Sequence, residues 1–140
     1  MITFIDAGPL TALIDKRDQW HNWAVNRVKE IKSPLITCEA VLSECCFILN
    51  RSGVDLQYLF NFIDRGDIRV ESSFVSTVHQ KRVIEIINTY HNLPASFADA
   101  CLVCMAENTA SDAKIFTLDN HFNIYRTDEG KLLSLISPAS

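Results

Sequence analysis

Ile2-Thr3-Phe4-Ile5-Asp6-Ala7-Gly8-Pro9-Leu10 is the stretch whose reading decides the fold. β-Branched and aromatic residues run straight into a carboxylate, then into Gly-Pro, then into the apolar run Leu10 to Ile14. That succession reads as a short buried strand followed at once by a helix, the opening of an α/β sheet. Asp6 stands at the strand's carboxyl end. In an open α/β sheet ligands bind at that edge, where the loops leave a crevice between helices packed on opposite faces. A site there needs further chemistry to arrive at the same edge.

Beyond this stretch the chain keeps alternating between strand-like runs and helical spacing. Trp20, Trp23, Ala24, Val28 and Ile31 mark a second helix that Ser33-Pro34 ends, with its tryptophans read as core or interface anchors rather than a base-stacking platform because of the area they bury. Leu35 to Cys38 reads as a second strand, and Glu39 to Asn50 as a helix closed by Ser52-Gly53. Asp55 to Ile63, with Leu56, Leu59, Phe60 and Ile63 on one stripe, predicts a fourth helix, and Ile68-Arg69-Val70 a third strand. Ser72 or Ser73 is the expected cap of a long helix reaching about His91. Ser96 opens another helix running to Ala106, and Lys114 to Leu118 reads as a fourth strand. Asn123 to Arg126 and Lys131 to Ile136, flanking Asp128-Glu129-Gly130, predict a hairpin that closes the sheet edge, and the last four residues are expected to fray.

A length of 140 residues and 48% hydrophobic content suit one domain, residues 1–140, with a core that needs no staples. Four Gly, four Pro and the lack of any repeat or low-complexity run leave no linker. The N-terminus has no signal-peptide pattern and no apolar run is long enough to cross a bilayer, so a cytoplasmic location is expected. The five cysteines sit in apolar surroundings that suit reduced core thiols; Cys101-x-x-Cys104 falls within a helical pattern and no second pair completes a zinc set. A formal charge of -4 weighs against a passive nucleic-acid binder, which needs a basic face. It weighs less against a metal nuclease, whose acids are neutralised by the ions they hold. The four histidines show no ligand spacing and read as surface or core residues. No phosphate-binding glycine loop or nucleophile elbow appears.

Two helices carry an anomaly. Glu44 is the only charge between Ala40 and Leu49, on a helix apolar nearly all round, and Asp99 is the only charge between Phe97 and Ala106. Such helices are expected to be buried, and a carboxylate within one needs a partner. Asp119 ends the fourth strand as Asp6 ends the first. The carboxyl ends of parallel strands share one edge, and Glu44 in the first half of its helix and Asp99 in the first turn of its own can reach it. Structural readings stand beside the functional one: a turn residue before Gly8-Pro9 for Asp6, a capping box with Ser96 for Asp99, a turn pair for Asp119-Asn120. Glu44 has none. Carboxylates gathered at one edge repel one another unless a divalent cation compensates them. Oxygen ligands without His or Cys favour Mg²⁺ or Mn²⁺, ions suited to phosphoryl chemistry. Thr117, two residues before Asp119 and on the same strand face, is placed to hydrogen-bond a metal ligand or a phosphate, although Thr is also simply a good strand residue.

Ile5-Asp6-Ala7-Gly8-Pro9-Leu10, Val41-Leu42-Ser43-Glu44, Ser96-Phe97-Ala98-Asp99-Ala100 and Thr117-Leu118-Asp119-Asn120-His121-Phe122 together resemble the PIN domain, most closely the VapC-type toxin ribonucleases. The match runs in order over essentially the whole chain. It implies a three-layer α/β/α sandwich with a central, mainly parallel sheet and Mg²⁺- or Mn²⁺-dependent cleavage of RNA. It implies that Asp6, Glu44, Asp99 and Asp119 are the catalytic metal ligands, and that Thr117 matches a frequent Ser/Thr. It also implies a small protein antitoxin that inserts a segment into the site, and a homodimer. Where many members carry Ser, Thr or Asn two residues after the first Asp, this chain has Gly8.

The expected function is a metal-dependent endoribonuclease in which activated water attacks phosphorus and leaves a 5′-phosphate and a 3′-hydroxyl. The alternative is a non-catalytic PIN-like module that binds RNA or protein. A receiver or phosphatase is disfavoured: Asp6-Ala7-Gly8 lacks a second Asp, and no lysine follows the strand at Phe116. Lys16, Arg17, Arg51, Arg82 and Arg126 are the candidate RNA contacts and form no motif that reads bases.

Overall fold

The computed structural model describes residues 1–138; the expected fraying of the C-terminus extends to residues 139–140, outside the described residues. Five strands and six helices follow in the order β1 (Ile2–Ile5), α1 (Ala7–Ile14), α2 (His21–Glu30), β2 (Leu35–Thr37), α3 (Glu39–Arg51), α4 (Gln57–Asp64), β3 (Ile68–Val70), α5 (Thr77–Thr89), α6 (Phe97–Glu107), β4 (Ala113–Phe116) and β5 (Leu135–Ile136). A 3₁₀ turn spans Asn120–Asn123.

All strand pairs are parallel and the sheet order is β3-β2-β1-β4-β5. β1 is therefore the middle strand. Its residues Thr3, Phe4 and Ile5 are buried, as parallel strands covered by helices on both faces should be. From β1 the chain steps outward to β2 and β3, then returns to the other side of β1 to lay down β4. Right-handed crossovers put the helices of the outward steps on one face and those of the return on the other, which makes the three-layer α/β/α arrangement. The order reverses between β1 and β4, and that reversal is where an α/β sheet opens a crevice. The order differs from the 2-1-3-4-5 arrangement of receiver-type folds.

Register carries Asp6 to this point. Ile5 lies opposite Phe116, and Asp6 N donates to Phe116 O at 2.9 Å, so the ladder runs one residue past β1. Asp6 then caps α1, its Oδ1 accepting from Ala7 N at 2.8 Å.

Several expectations needed correction. α3 buries only Val41, Cys45 and Leu49, one narrow stripe at four-residue spacing, and Phe47 is 64% exposed. It is not a buried helix, because neighbours cover only that stripe. On α4 only Leu59 is buried, while Phe60 faces solvent. α5 is capped by Ser76, which accepts from His79 N at 3.2 Å; Ser72 instead donates to Glu39 at 2.9 Å, and the helix starts later than expected. The C-terminal hairpin reduces to an isolated antiparallel bridge between Arg126 and Leu132, after which β5 joins β4 in parallel. The tryptophans pack as expected: Trp23 stacks edge-on against Phe116 and Trp20 against Trp23. Cys101 and Cys104 are buried in α6 as free thiols. Among the described residues no helix is long and apolar enough to cross a membrane.

Candidate active site

A cleft of about 490 Å³ opens at the carboxyl edge of the sheet, lined by Asp6, Glu44, Asp99 and Asp119 with Ser96, Leu118 and His121 among their neighbours. The expected acids are brought together there, each by a different device. Asp6 comes from the end of β1. Asp119 follows β4, two residues after Thr117. Asp99 is the third residue of α6 and Glu44 the sixth of α3, both helices starting at this edge.

Asp6 is only 6% exposed, and both its oxygens are engaged. Besides the bond from Ala7 N, Oδ2 accepts from the Thr117 hydroxyl at 2.8 Å. Thr117 in turn accepts from Asp119 N at 3.0 Å, so one hydroxyl ties the loop after β4 to the acid after β1. Thr117 thus hydrogen-bonds one of the candidate acids, as its position in the strand predicts. Asp119 Oδ1 accepts from His121 N at 2.9 Å.

Asp99 serves two purposes at once. Ser96 and Asp99 form a capping box at the start of α6: the Ser96 hydroxyl accepts from Asp99 N at 3.0 Å and Asp99 Oδ2 accepts from Ser96 N at 3.5 Å. The same oxygen accepts from the Tyr125 hydroxyl at 2.9 Å. The structural reading of Asp99 is therefore correct, and it coexists with a place in the cleft. Glu44 is half-buried at the cleft wall and not sunk in a core as the sequence had suggested.

Burial pushes the Asp6 carboxyl up to about 7, against the bond from Thr117, with the charges of Asp99 and Glu44 adding to the rise. Asp99 is also raised, chiefly by burial, with the Asp119 charge contributing and the Tyr125 bond opposing. Glu44 is raised by burial and then by Asp99. Burial is the first cause of each rise and the neighbouring carboxylates add to it, a charge that a bound cation would offset. Among the described residues no three His, Cys, Asp or Glu side chains already surround one point as ligands. The donors are hard carboxylate oxygens on a partly open cleft, a set that fits Mg²⁺ or Mn²⁺.

Two residues escaped the sequence reading. His121 is a surface histidine on the cleft wall, its Nδ1 3.4 Å from Asp119 Oδ1. Its signal was the spacing Asp119-Asn120-His121 at a strand end. Tyr125 had no signal, since it meets Asp99 only through the fold. Conversely, three candidate RNA contacts are internally engaged. Arg17 Nη2 donates to Ser52 O at 2.7 Å and its Nε to Asp15 at 3.2 Å. Arg82 pairs with Glu107 at 2.6 Å, and Arg126 Nη1 donates to the carbonyls of Asn123, Ile124 and Tyr125.

Comparison with known proteins agrees with this fold. A family model described as the PIN domain matches residues 3–128. The fold is similar to the crystal structure of Mycobacterium tuberculosis VapC20, a sarcin-ricin loop cleaving toxin, with a TM-score of 0.70 over 84% of this chain and 89% of that one, at 19% identity. At that identity the likeness is one of fold. A search of the curated proteins finds no match.

Proposed function

Because the chain belongs to the PIN domain family, we propose that it is a metal-dependent endoribonuclease, the toxin of a toxin–antitoxin pair. The observation that carries the reading is the meeting of Asp6, Glu44, Asp99 and Asp119 in one cleft at the β1/β4 switch point. These carboxylates would hold Mg²⁺, with Mn²⁺ as a substitute. A divalent ion bound there supplies Lewis-acid activation of water and neutralises charge on the phosphodiester. The protein's own part is positional. Thr117 holds Asp6 and the loop of Asp119 in fixed relation, and the capping box fixes Asp99 against the first turn of α6. Water adds to phosphorus, the bond to the 3′-oxygen breaks, and the products are a 5′-phosphate and a 3′-hydroxyl. The VapC20 toxin acts on the sarcin-ricin loop; here the substrate class is RNA. A small protein antitoxin that occupies the cleft, and a homodimeric assembly, belong to the same proposal.

Asp6→Asn and Asp99→Asn should each leave a folded protein whose RNA cleavage in Mg²⁺ falls by more than the ~10–100-fold that loss of an outer-shell partner causes. Sequencing of the RNA ends gives the product chemistry, and EDTA should suppress cleavage by the parent protein. Wild-type rates from both variants would sink the assignment of the site.

A further inference from the structure

Tyr125 is fully buried, its ring packed edge-on between Tyr90 at 5.0 Å and Phe122 at 5.1 Å. Its hydroxyl donates to Oδ2 of Asp99 at 2.9 Å. The backbone around it is tied down from several sides. Tyr90 OH accepts from Arg126 N at 2.9 Å, Arg126 Nη1 donates to the carbonyl of Tyr125 itself at 3.1 Å, and Arg82 Nη2 donates to Arg126 O at 3.4 Å. A hydroxyl on so fixed a frame cannot follow a wandering carboxylate; the carboxylate must come to it. Among the described residues, the hydrogen bonds to the Asp99 carboxylate from Tyr125 and from Ser96 N both fall on Oδ2. Oδ1 is the oxygen left for a ligand.

We propose that Tyr125 is a positioning residue that clamps Oδ2 of Asp99 and so presents Oδ1 to a divalent cation in the cleft. This rests on the reading of the acids as a cation site. It goes beyond that reading because Tyr125 does not line the cleft and lies 26 residues from Asp99 in sequence. An outer partner that orients a ligating oxygen contributes to metal affinity without touching the metal.

Tyr125→Phe removes the hydroxyl and keeps the ring. Calorimetric titration with Mn²⁺ should show affinity weakened by ~10–100-fold relative to the parent, and at limiting Mn²⁺ kcat on RNA should fall while KM holds. Tyr58→Phe removes a hydroxyl from an exposed ring outside this cluster and its frame, and should bind Mn²⁺ as the parent does. In an Asp99→Asn background, adding Tyr125→Phe should cause no further loss. The proposal is overturned if Tyr125→Phe binds Mn²⁺ like the parent, if Tyr58→Phe weakens binding equally, or if the loss persists in the Asp99→Asn background. A parent protein that binds no Mn²⁺ overturns the cation-site reading together with this one; a parent that binds beside an unaffected Tyr125→Phe overturns this one alone.

Discussion

At the scale of the residue, Asp6 is a carboxyl that the metal-free fold holds at some disadvantage. Its folded pKa is about 7 against an ordinary 3.8, the rise coming first from burial. Between those values the folded chain keeps a proton that the unfolded chain has released, so stability falls as pH rises through that window and levels off above it. Asp99 and Glu44, raised for similar reasons, act in the same direction. The metal-free protein should therefore melt at a lower temperature at pH ~7.5 than at pH ~5. Asp6→Asn, which cannot ionise, should melt higher than the parent at the upper pH and show a shallower decline. Parallel melting curves for the two proteins across this range would refute the role given to Asp6. Gly8 also finds its reason at this scale. A Cβ there would lie 3.2 Å from Leu118 Cδ1, so a Ser or Thr at this place would crowd the cleft wall, and Thr117 supplies the hydroxyl contact to Asp6 from the neighbouring strand.

At the scale of the element, α5 and α6 are joined by a nearly buried ion pair. Glu107 is 2% exposed and Arg82 17%; Glu107 also accepts from Asp128 N at 2.6 Å, which ties down the loop that follows Tyr125. Removing Glu107 leaves Arg82 its pair with the exposed Glu85, at 2.7 Å, so the cost should lie between the ~3–5 kcal/mol of a buried charge left unpaired and the ~1 kcal/mol or less of an exposed pair. Glu107→Ala should thus lower the unfolding free energy in urea by roughly 1–3 kcal/mol; a loss below ~1 kcal/mol would place the pair among surface contacts. Most elements were legible in the sequence because their periodicities are clear: β1, α1, α6 and β4 lie within a residue or two of where the patterns put them, apart from the earlier start of α1. The failures have a common cause. The apolar count of α3 does not say which of its faces finds neighbours, so Phe47 and Ile48 were misread as buried. Ser72 looked like a helix cap until Glu39, 33 residues away, took its hydroxyl. β5 is two residues long and pairs only because β4 offers an edge.

At the scale of the whole molecule, the cleft exists because the sheet reverses its strand order beside β1, and the acids crowd there at a free-energy cost in the absence of a counter-ion. Binding to the folded state alone stabilises it in proportion to RT ln(1 + [L]/Kd). Mg²⁺ or Mn²⁺ should therefore raise the melting temperature, and by more at pH ~7.5, where the acids are ionised, than at pH ~5, where protons compete for them. Chelation with EDTA should reverse the shift; an unchanged melting temperature at saturating metal would contradict a cation site. By itself the sequence determined the α/β alternation, the strand-end positions of Asp6 and Asp119, and the oddity of Glu44 and Asp99 on apolar helices, because these are local patterns of period and polarity. Only the tertiary structure decided that the acid Thr117 bonds is Asp6, across 111 residues, and that Tyr125 bonds Asp99. Those contacts depend on which strands pair and in what register, a property of the folded chain that no local pattern encodes.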